Sequence, residues 1–402
     1  MNLFENAGSS IFRDMTYFED DYLPSRLIGR DDQIKSIADA YYPILMKDTP
    51  RNLFLHGEPG TGKNVTNAYV INELRETIKK RKLGIDVIHL RVSCPEAETS
   101  NAVLRQLVEK AELGTRLPKR GCGFDDHVDH FRSIFSDNSH RLIIIELDEI
   151  DRLKDNKLLY TLSRAHDTGL LQKNTKISIV GTSNDSTYNG LIDSAVSSSL
   201  NMKPIFFGLY NKEQLTNILN DRRDAFSEGI VSDYVIDACC ILSVLEHGDA
   251  RRTIQLLKQA GYIAYRKDAL EVDPSDVHEA NKKEDYNLRH ILEGLPRQQK
   301  AVLMAVVKLS ANRKESARKN DDPIRLDQVT PVYYKVCDEY MVIPVKELSV
   351  LDLLKRLESN RVIYLRKDNR GKRNGLIIGL NKELGAKVFG VEALLNSLLE
   401  LS

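Results

Sequence analysis

The sequence predicts an α/β protein: a mostly parallel sheet flanked by helices, then a small helical domain, then a C-terminal winged helix. Three observations predict it. First, apolar runs at 52–56 (NLFLH), 87–92 (VIHLRV), 141–147 (RLIIIEL) and 177–181 (ISIVG) alternate with helical stretches, notably 64–80, 99–112 and 155–166. Strands apolar on both faces and separated by helices belong in a parallel sheet covered on both sides. Second, from about 210 the strand signal vanishes, and 211–228, 232–246, 249–268 and 274–281 show helical periodicity punctuated by Gly229 and Gly248. Third, after Asn287, helices near 297–311, 331–340 and 350–359 precede two strand-like runs, VIYLRKD (362–368) and GLIIGLN (375–381). The expected domains are therefore 1–205, 206–284 and 285–402.

Bulk properties narrow the function classes. A chain of 402 residues exceeds one ordinary core, and 42% hydrophobic with 29% charged residues is the balance of a soluble globular protein. Lys and Arg number 58, as do Asp and Glu. With no net charge, any nucleic-acid contact has to come from a local basic patch. The five cysteines are scattered without a C-x-x-C pair, which argues against a disulfide framework or a zinc site. Cys239 and Cys240, in an apolar helical run, read as buried free thiols. No stretch approaches 18 apolar residues, and MNLFENAGSS lacks a signal core, so the expectation is no membrane and a cytoplasmic location. The charged run 312–322 reads as a solvated loop.

Gly57-Glu58-Pro59-Gly60-Thr61-Gly62-Lys63-Asn64 follows a predicted strand and opens a predicted helix. That is the context of a G-x-x-x-x-G-K phosphate loop. Its glycines let backbone N–H groups turn around a phosphate, and the helix N-terminus, entered through Val65, adds a favourable dipole. Lys63 is placed to reach β- and γ-phosphates. The expected cofactors are ATP/ADP and magnesium (Mg2+). Position 64 departs from the pattern: a Ser or Thr hydroxyl is usual there as a magnesium ligand. Asn64 offers a carbonyl oxygen instead, acceptable to a hard cation but on a longer side chain.

Three further elements complete the constellation. The strand 141–147 delivers Asp148 and Glu149 to the C-terminal mouth of an open sheet, where ligands bind. Asp148 is the candidate metal ligand, and Glu149 the candidate base for an attacking water. Strand 177–181 ends at Thr182-Ser183-Asn184-Asp185, putting the Asn184 amide within reach of a γ-phosphate. Gly248-Asp249-Ala250-Arg251-Arg252 opens a helix whose arginine can report nucleotide state to the helical domain.

With these elements in this order, nearly the whole chain resembles the archaeal replication-initiator family of AAA+ ATPases. That family is related to the eukaryotic origin-recognition subunits and the replication-licensing ATPase. GxPGTGK, Leu147 to Asp151 (LDEID), Gly181 to Asp185 and GDARR carry the resemblance. Upstream, Asp21-Tyr22-Leu23-Pro24 and Ile28-Gly29-Arg30-Asp31 look like the family's adenine-side segment, which implicates Tyr22, Pro24, Ile28, Gly29 and Arg30. The resemblance implies an AAA+ base domain, a helical lid and a winged helix. It also implies binding to double-stranded origin DNA, a paralogous initiator subunit as partner, help in loading the replicative helicase, and a nucleoid-associated location. Arg251 is the lid arginine by motif position. Where the family usually carries an arginine finger before Val196, this chain has Ala195. Together with Asn64, this points to slow hydrolysis. The competing readings are a nucleotide-locked DNA-binding regulator and an AAA+ loader or transposition-type ATPase.

In the C-terminal domain, Thr330-Pro331 and Ser349-x-x-Asp352 read as helix starts, with Asn360 capping the second helix. That second helix is the candidate reading helix, although only Lys355 and Arg356, with Lys346, lend it charge. The wing is the stronger candidate. Residues 361–374 hold six cations, among them Arg366, Arg370, Lys372 and Arg373, against one acid, a local charge of +5. Such a tip suits phosphate contacts. Lys173 and Lys176 are weaker candidates for a second DNA contact.

Overall fold

The structure is a computed structural model. It describes residues 11–112, 121–165, 167–184, 194–245, 248–315, 324–359, 362–368, 375–380 and 388–400. The chain forms two compact units: Thr16–Asp221 with Gly248–Arg251, and Met1–Met15 with Arg222–His247 and Arg252–Ser402.

The first unit is built on β1 (Leu53–His56), β2 (Asp86–Ser93), β3 (Arg141–Asp148), β4 (Thr175–Ser183) and β5 (Lys203–Phe206). Their order is β2-β3-β4-β1-β5, and every neighbouring pair is parallel. Around them lie α1 (Asp31–Tyr41), α2 (Lys63–Arg81), α3 (Ser100–Ala111), α4 (Phe124–Ile134), α5 (Lys157–Ser163), α6 (Ser194–Leu200) and α7 (Lys212–Arg222).

The strand alternation sorts the core. Leu142 and Ile144 of β3 pack with Ile37, Tyr41, Val70 and Leu74 of α1 and α2. Ile143, Ile145 and Leu147 pack on the opposite face with Val103, Leu107, Phe131 and Leu158. Burial of these two layers stabilises the unit at about 25 cal/mol per Å² of apolar area removed from water. The four predicted strands are present, each within two residues of its expected bounds. β5 is additional: it lies at the sheet edge, and this position tolerates Pro204. α5 is shorter than the 155–166 expected.

The second unit contains α8 (Asp233–Leu245), most of α9 (Ala250–Arg266), α10 (Pro274–Glu293) and α11 (Arg297–Glu315). It continues through β6 (Ile324–Arg325), α12 (Leu326–Glu339), α13 (Glu347–Ser359), β7 (Ile363–Asp368), β8 (Gly375–Leu380) and α14 (Val388–Glu400). β6, β8 and β7 form an antiparallel sheet in that order. It shares a core of Val302, Val306, Tyr333, Leu354, Ile363 and Leu395 with α11 to α14.

Two helix starts differ from expectation. α12 begins at Leu326, with the Gln328 side chain accepting from the Arg325 N–H at 3.2 Å, so Pro331 lies inside the helix. Thr330 does not cap; its hydroxyl donates to the Leu326 carbonyl at 3.0 Å. α13 begins at Glu347, which puts Ser349 in its first turn, and Asn360 lies outside the described residues. α11 runs on to Glu315, into the segment expected to be a loop. Cys239 and Cys240 are buried thiols. Among the described residues, no helix is long and apolar enough to cross a membrane.

Candidate functional site

β1 ends at His56, and the chain turns through Gly57, Gly60 and Gly62, whose φ angles are 144°, 66° and 81°. Glycine is required here on two counts, backbone angle and space. A Cβ would fall 2.2 Å from the Phe207 carbonyl at Gly57 and 1.7 Å from Asp249 Oδ1 at Gly60. Lys63 Nζ donates to the Gly57 and Glu58 carbonyls at 2.7 and 2.9 Å and to Asn184 Oδ1 at 3.1 Å. Two residues singled out from the sequence, 121 positions apart, therefore meet at the loop. The cause is topological: β1 lies beside β4 with His56 opposite Ser183. Burial and the adjacent Lys63 charge hold the His56 ring below its usual pKa.

The loop is braced from behind. Thr61 is buried, and its hydroxyl donates to the Glu58 carbonyl at 2.7 Å. Arg30 Nε donates to the Thr61 carbonyl at 2.9 Å and its Nη2 to the Gly208 carbonyl at 2.7 Å, while the guanidinium lies 3.8 Å from the Tyr210 ring centroid. These contacts make Arg30 a clamp on the loop. A Cβ at Gly29 would fall 2.2 Å from Gln214 Nε2. In the segment leading to α1, Tyr22 packs on Tyr17 with centroids 4.9 Å apart, Pro24 is buried and Ile28 is half-buried. Glu58 is exposed, while Pro59 and Val65 are half-buried.

Asp148 ends β3 beside this loop. Its Oδ1 accepts from Thr182 Oγ1 at 2.6 Å, its Oδ2 from Arg91 Nη2 at 2.8 Å, and the Asn64 side chain also hydrogen-bonds it. Burial opposes the charge, yet these bonds outweigh it and hold the carboxyl below its ordinary pKa. Asn64 Oδ1 is buried with no hydrogen-bond partner among the described residues. An unmet carbonyl oxygen beside an ionised carboxylate is a donor set that fits a hard divalent cation, so asparagine at this position is compatible with magnesium. Glu149 adopts left-handed φ and ψ of 52° and 53°, and its N–H donates to Thr182 Oγ1 at 3.3 Å. A non-glycine residue is strained there, and the turn carries Glu149 out of line with the strand. Its carboxylate lies 3.9 Å from Arg152 Nε. Arg91 and Tyr210 were not anticipated from the sequence, and Thr182 was named there only as part of the motif Gly181 to Asp185.

Arg251 is exposed on the first turn of α9. Lys355 and Arg356 are exposed on α13, with Lys355 Nζ 3.5 Å from Asp352 Oδ1. Arg366 of β7 pairs through its backbone with Ile377 of β8. Arg370, Lys372 and Arg373 lie outside the described residues, as does Asp185. Ala195 falls on α6.

Comparison with known proteins gives three family matches. Residues 46–185 match the AAA domain, 216–282 the Cdc6 AAA+ ATPase-type lid domain, and 290–381 the CDC6 C-terminal winged helix domain. An ORC1-type DNA replication protein of Thermococcus onnurineus is 34% identical over 372 residues, covering 91% of this chain and 86% of that protein. The ORC1-type DNA replication protein of Pyrococcus furiosus is 33% identical over 379 residues, 92% of this chain and 87% of its own length. Among solved structures, the Aeropyrum pernix ORC1 protein in complex with DNA aligns with a TM-score of 0.66 at 26% identity, covering 97% of this chain and 98% of that one.

Proposed function

The chain belongs to the ORC1-type family of DNA replication proteins, and from that premise we propose that it is an ATP/ADP-binding initiator that recognises origin DNA. In this reading it helps recruit or load the replicative helicase, alongside a paralogous initiator subunit. The observation that carries the proposal is the meeting of Lys63, Asn184, Asp148 and Glu149 at the C-terminal ends of adjacent parallel strands. The DNA complex of the Aeropyrum pernix relative supports the DNA role.

The residues take these parts. The loop N–H groups and Lys63 bind phosphate oxygens, with Lys63 turning from the loop carbonyls toward them. Asp148 and Asn64 present oxygens to magnesium, which when bound neutralises phosphate charge. Glu149 orients and deprotonates a water, and Asn184 steadies the γ-phosphate. Arg251 carries the nucleotide state to the lid, for which the division at 205 and 284 is proposed.

Turnover is slow in this reading. An arginine finger is worth roughly 10³–10⁵ in rate, and Ala195 supplies none to a neighbouring subunit. The same residue and Asn64 favour the second reading, a regulator that holds its nucleotide. In both, the chain binds chromosomal DNA selectively. Sheared chromosomal DNA captured by the protein with ATP and magnesium should be enriched at one or a few sites; even coverage would contradict the proposal.

A further inference from the structure

Behind the phosphate loop, β2 and β3 carry a charge cluster that the roles of Asp148 and Glu149 leave unused. Glu146 precedes Asp148 by two residues on the same face of β3 and is fully buried. Its Oε2 accepts from Asn67 Nδ2 at 2.5 Å and lies 3.0 Å from His89 Nε2. Asn67 Oδ1 accepts in turn from Tyr41 Oη at 2.7 Å. Oε1 is different: it accepts no hydrogen bond among the described residues and faces Arg91 Nε at 3.3 Å. Arg91 stands opposite Glu146 in the β2–β3 register, and its Nη2 donates to Asp148 Oδ2 at 2.8 Å.

One guanidinium therefore stands between two carboxylates. It is hydrogen-bonded to Asp148, the metal-side group, and only electrostatically paired with the buried Glu146. A buried acceptor without a donor is destabilising, so Glu146 Oε1 attracts Arg91. A divalent cation sharing Asp148 repels it. Both forces act in the same direction.

We infer that Arg91 is a positioning residue that sets the magnesium affinity of the site, holding Asp148 until a divalent cation shares that carboxylate and then withdrawing onto Glu146. The inference rests on the nucleotide site proposed above. It makes two predictions of opposite sign. Arg91→Gln removes a positive charge beside the metal ligands and strengthens magnesium binding. Glu146→Gln removes the group that receives Arg91 and weakens it. A merely structural role for either residue would impair both variants alike.

The test uses the full chain and a fluorescent ADP, comparing nucleotide affinity with and without magnesium across a magnesium series. Arg91→Gln should lower the magnesium midpoint about tenfold, the scale of removing one unit charge near a divalent ion under water-like screening. Glu146→Gln should raise it. Arg91→Met removes the same charge, should match Arg91→Gln and decides the matter if that variant fails to fold; the double variant, which removes one charge of each sign, should lie between the two single variants. A midpoint within twofold of wild type in Arg91→Gln and in Arg91→Met, or a fall in Glu146→Gln, overturns the inference while leaving the nucleotide site standing. Wild type with no nucleotide affinity at any magnesium concentration overturns both.

Discussion

Lys63→Ala should lower the affinity for ATP and ADP by at least about 100-fold, since hydrogen bonds to a charged group contribute about 1.5–3 kcal/mol each and Lys63 is placed to make two. The fold should survive. Lys63 Nζ is bonded to the Gly57 and Glu58 carbonyls and to Asn184 at a half-buried surface, and these acceptors can turn to water. The loop itself is held by Arg30 and the glycine backbone, which the substitution leaves in place. Equilibrium binding of a fluorescent nucleotide, with circular dichroism as the folding control, measures the effect. A loss smaller than about threefold would mean that Lys63 belongs to the loop's own structure and not to a phosphate site.

The second large effect concerns the wing. Neutralising Arg370, Lys372 and Arg373 together to Gln should weaken binding to duplex DNA of any sequence. If each cation meets one phosphate, the slope of log affinity against log salt falls by about 2.7, and affinity at 0.15 M salt falls about 100-fold. The loss should be uniform across sequences, because phosphate contacts position and do not read bases. Fluorescence anisotropy on specific and unrelated duplexes over a salt series distinguishes the outcomes. An unchanged slope would reduce the wing to a solubilising hairpin and shift the DNA contact to the Lys355 and Arg356 face of α13, which is exposed.

How far the sequence revealed this protein depends on how local each signal is. The strands of the parallel sheet were legible because burial on both faces makes them continuously apolar, as in Leu142 to Ile145. The edge strand β5 was not, since only Ile205 of Lys203–Phe206 is buried. Thr330-Pro331 resembled a helix start by local chemistry, but the packing of Val329 and Tyr333 in the core carries the helix back through it to Leu326. At the site, Lys63, Asp148, Glu149 and Asn184 announce themselves by motif. Arg91 does not, because its meaning comes from the register that sets it opposite Glu146, 55 residues away. Arg30 was expected in an adenine-side segment, whereas its contacts with Thr61, Gly208 and Tyr210 follow only from the folded chain.

Asn64 illustrates the gain from geometry most clearly. By residue type it weakens the magnesium site; in the folded chain its buried, unmet Oδ1 stands beside an ionised Asp148. The departure from the hydroxyl pattern is therefore compatible with nucleotide and metal being retained.

A nucleotide held in the loop from Gly57 to Asn64 underlies each of these proposed roles. Its most direct measurement is the nucleotide content of the purified protein, released by acid and identified by chromatography. Close to one ADP or ATP per chain is expected, or uptake to that level when ATP and magnesium are added. A chain that carries none and takes up none would contradict it.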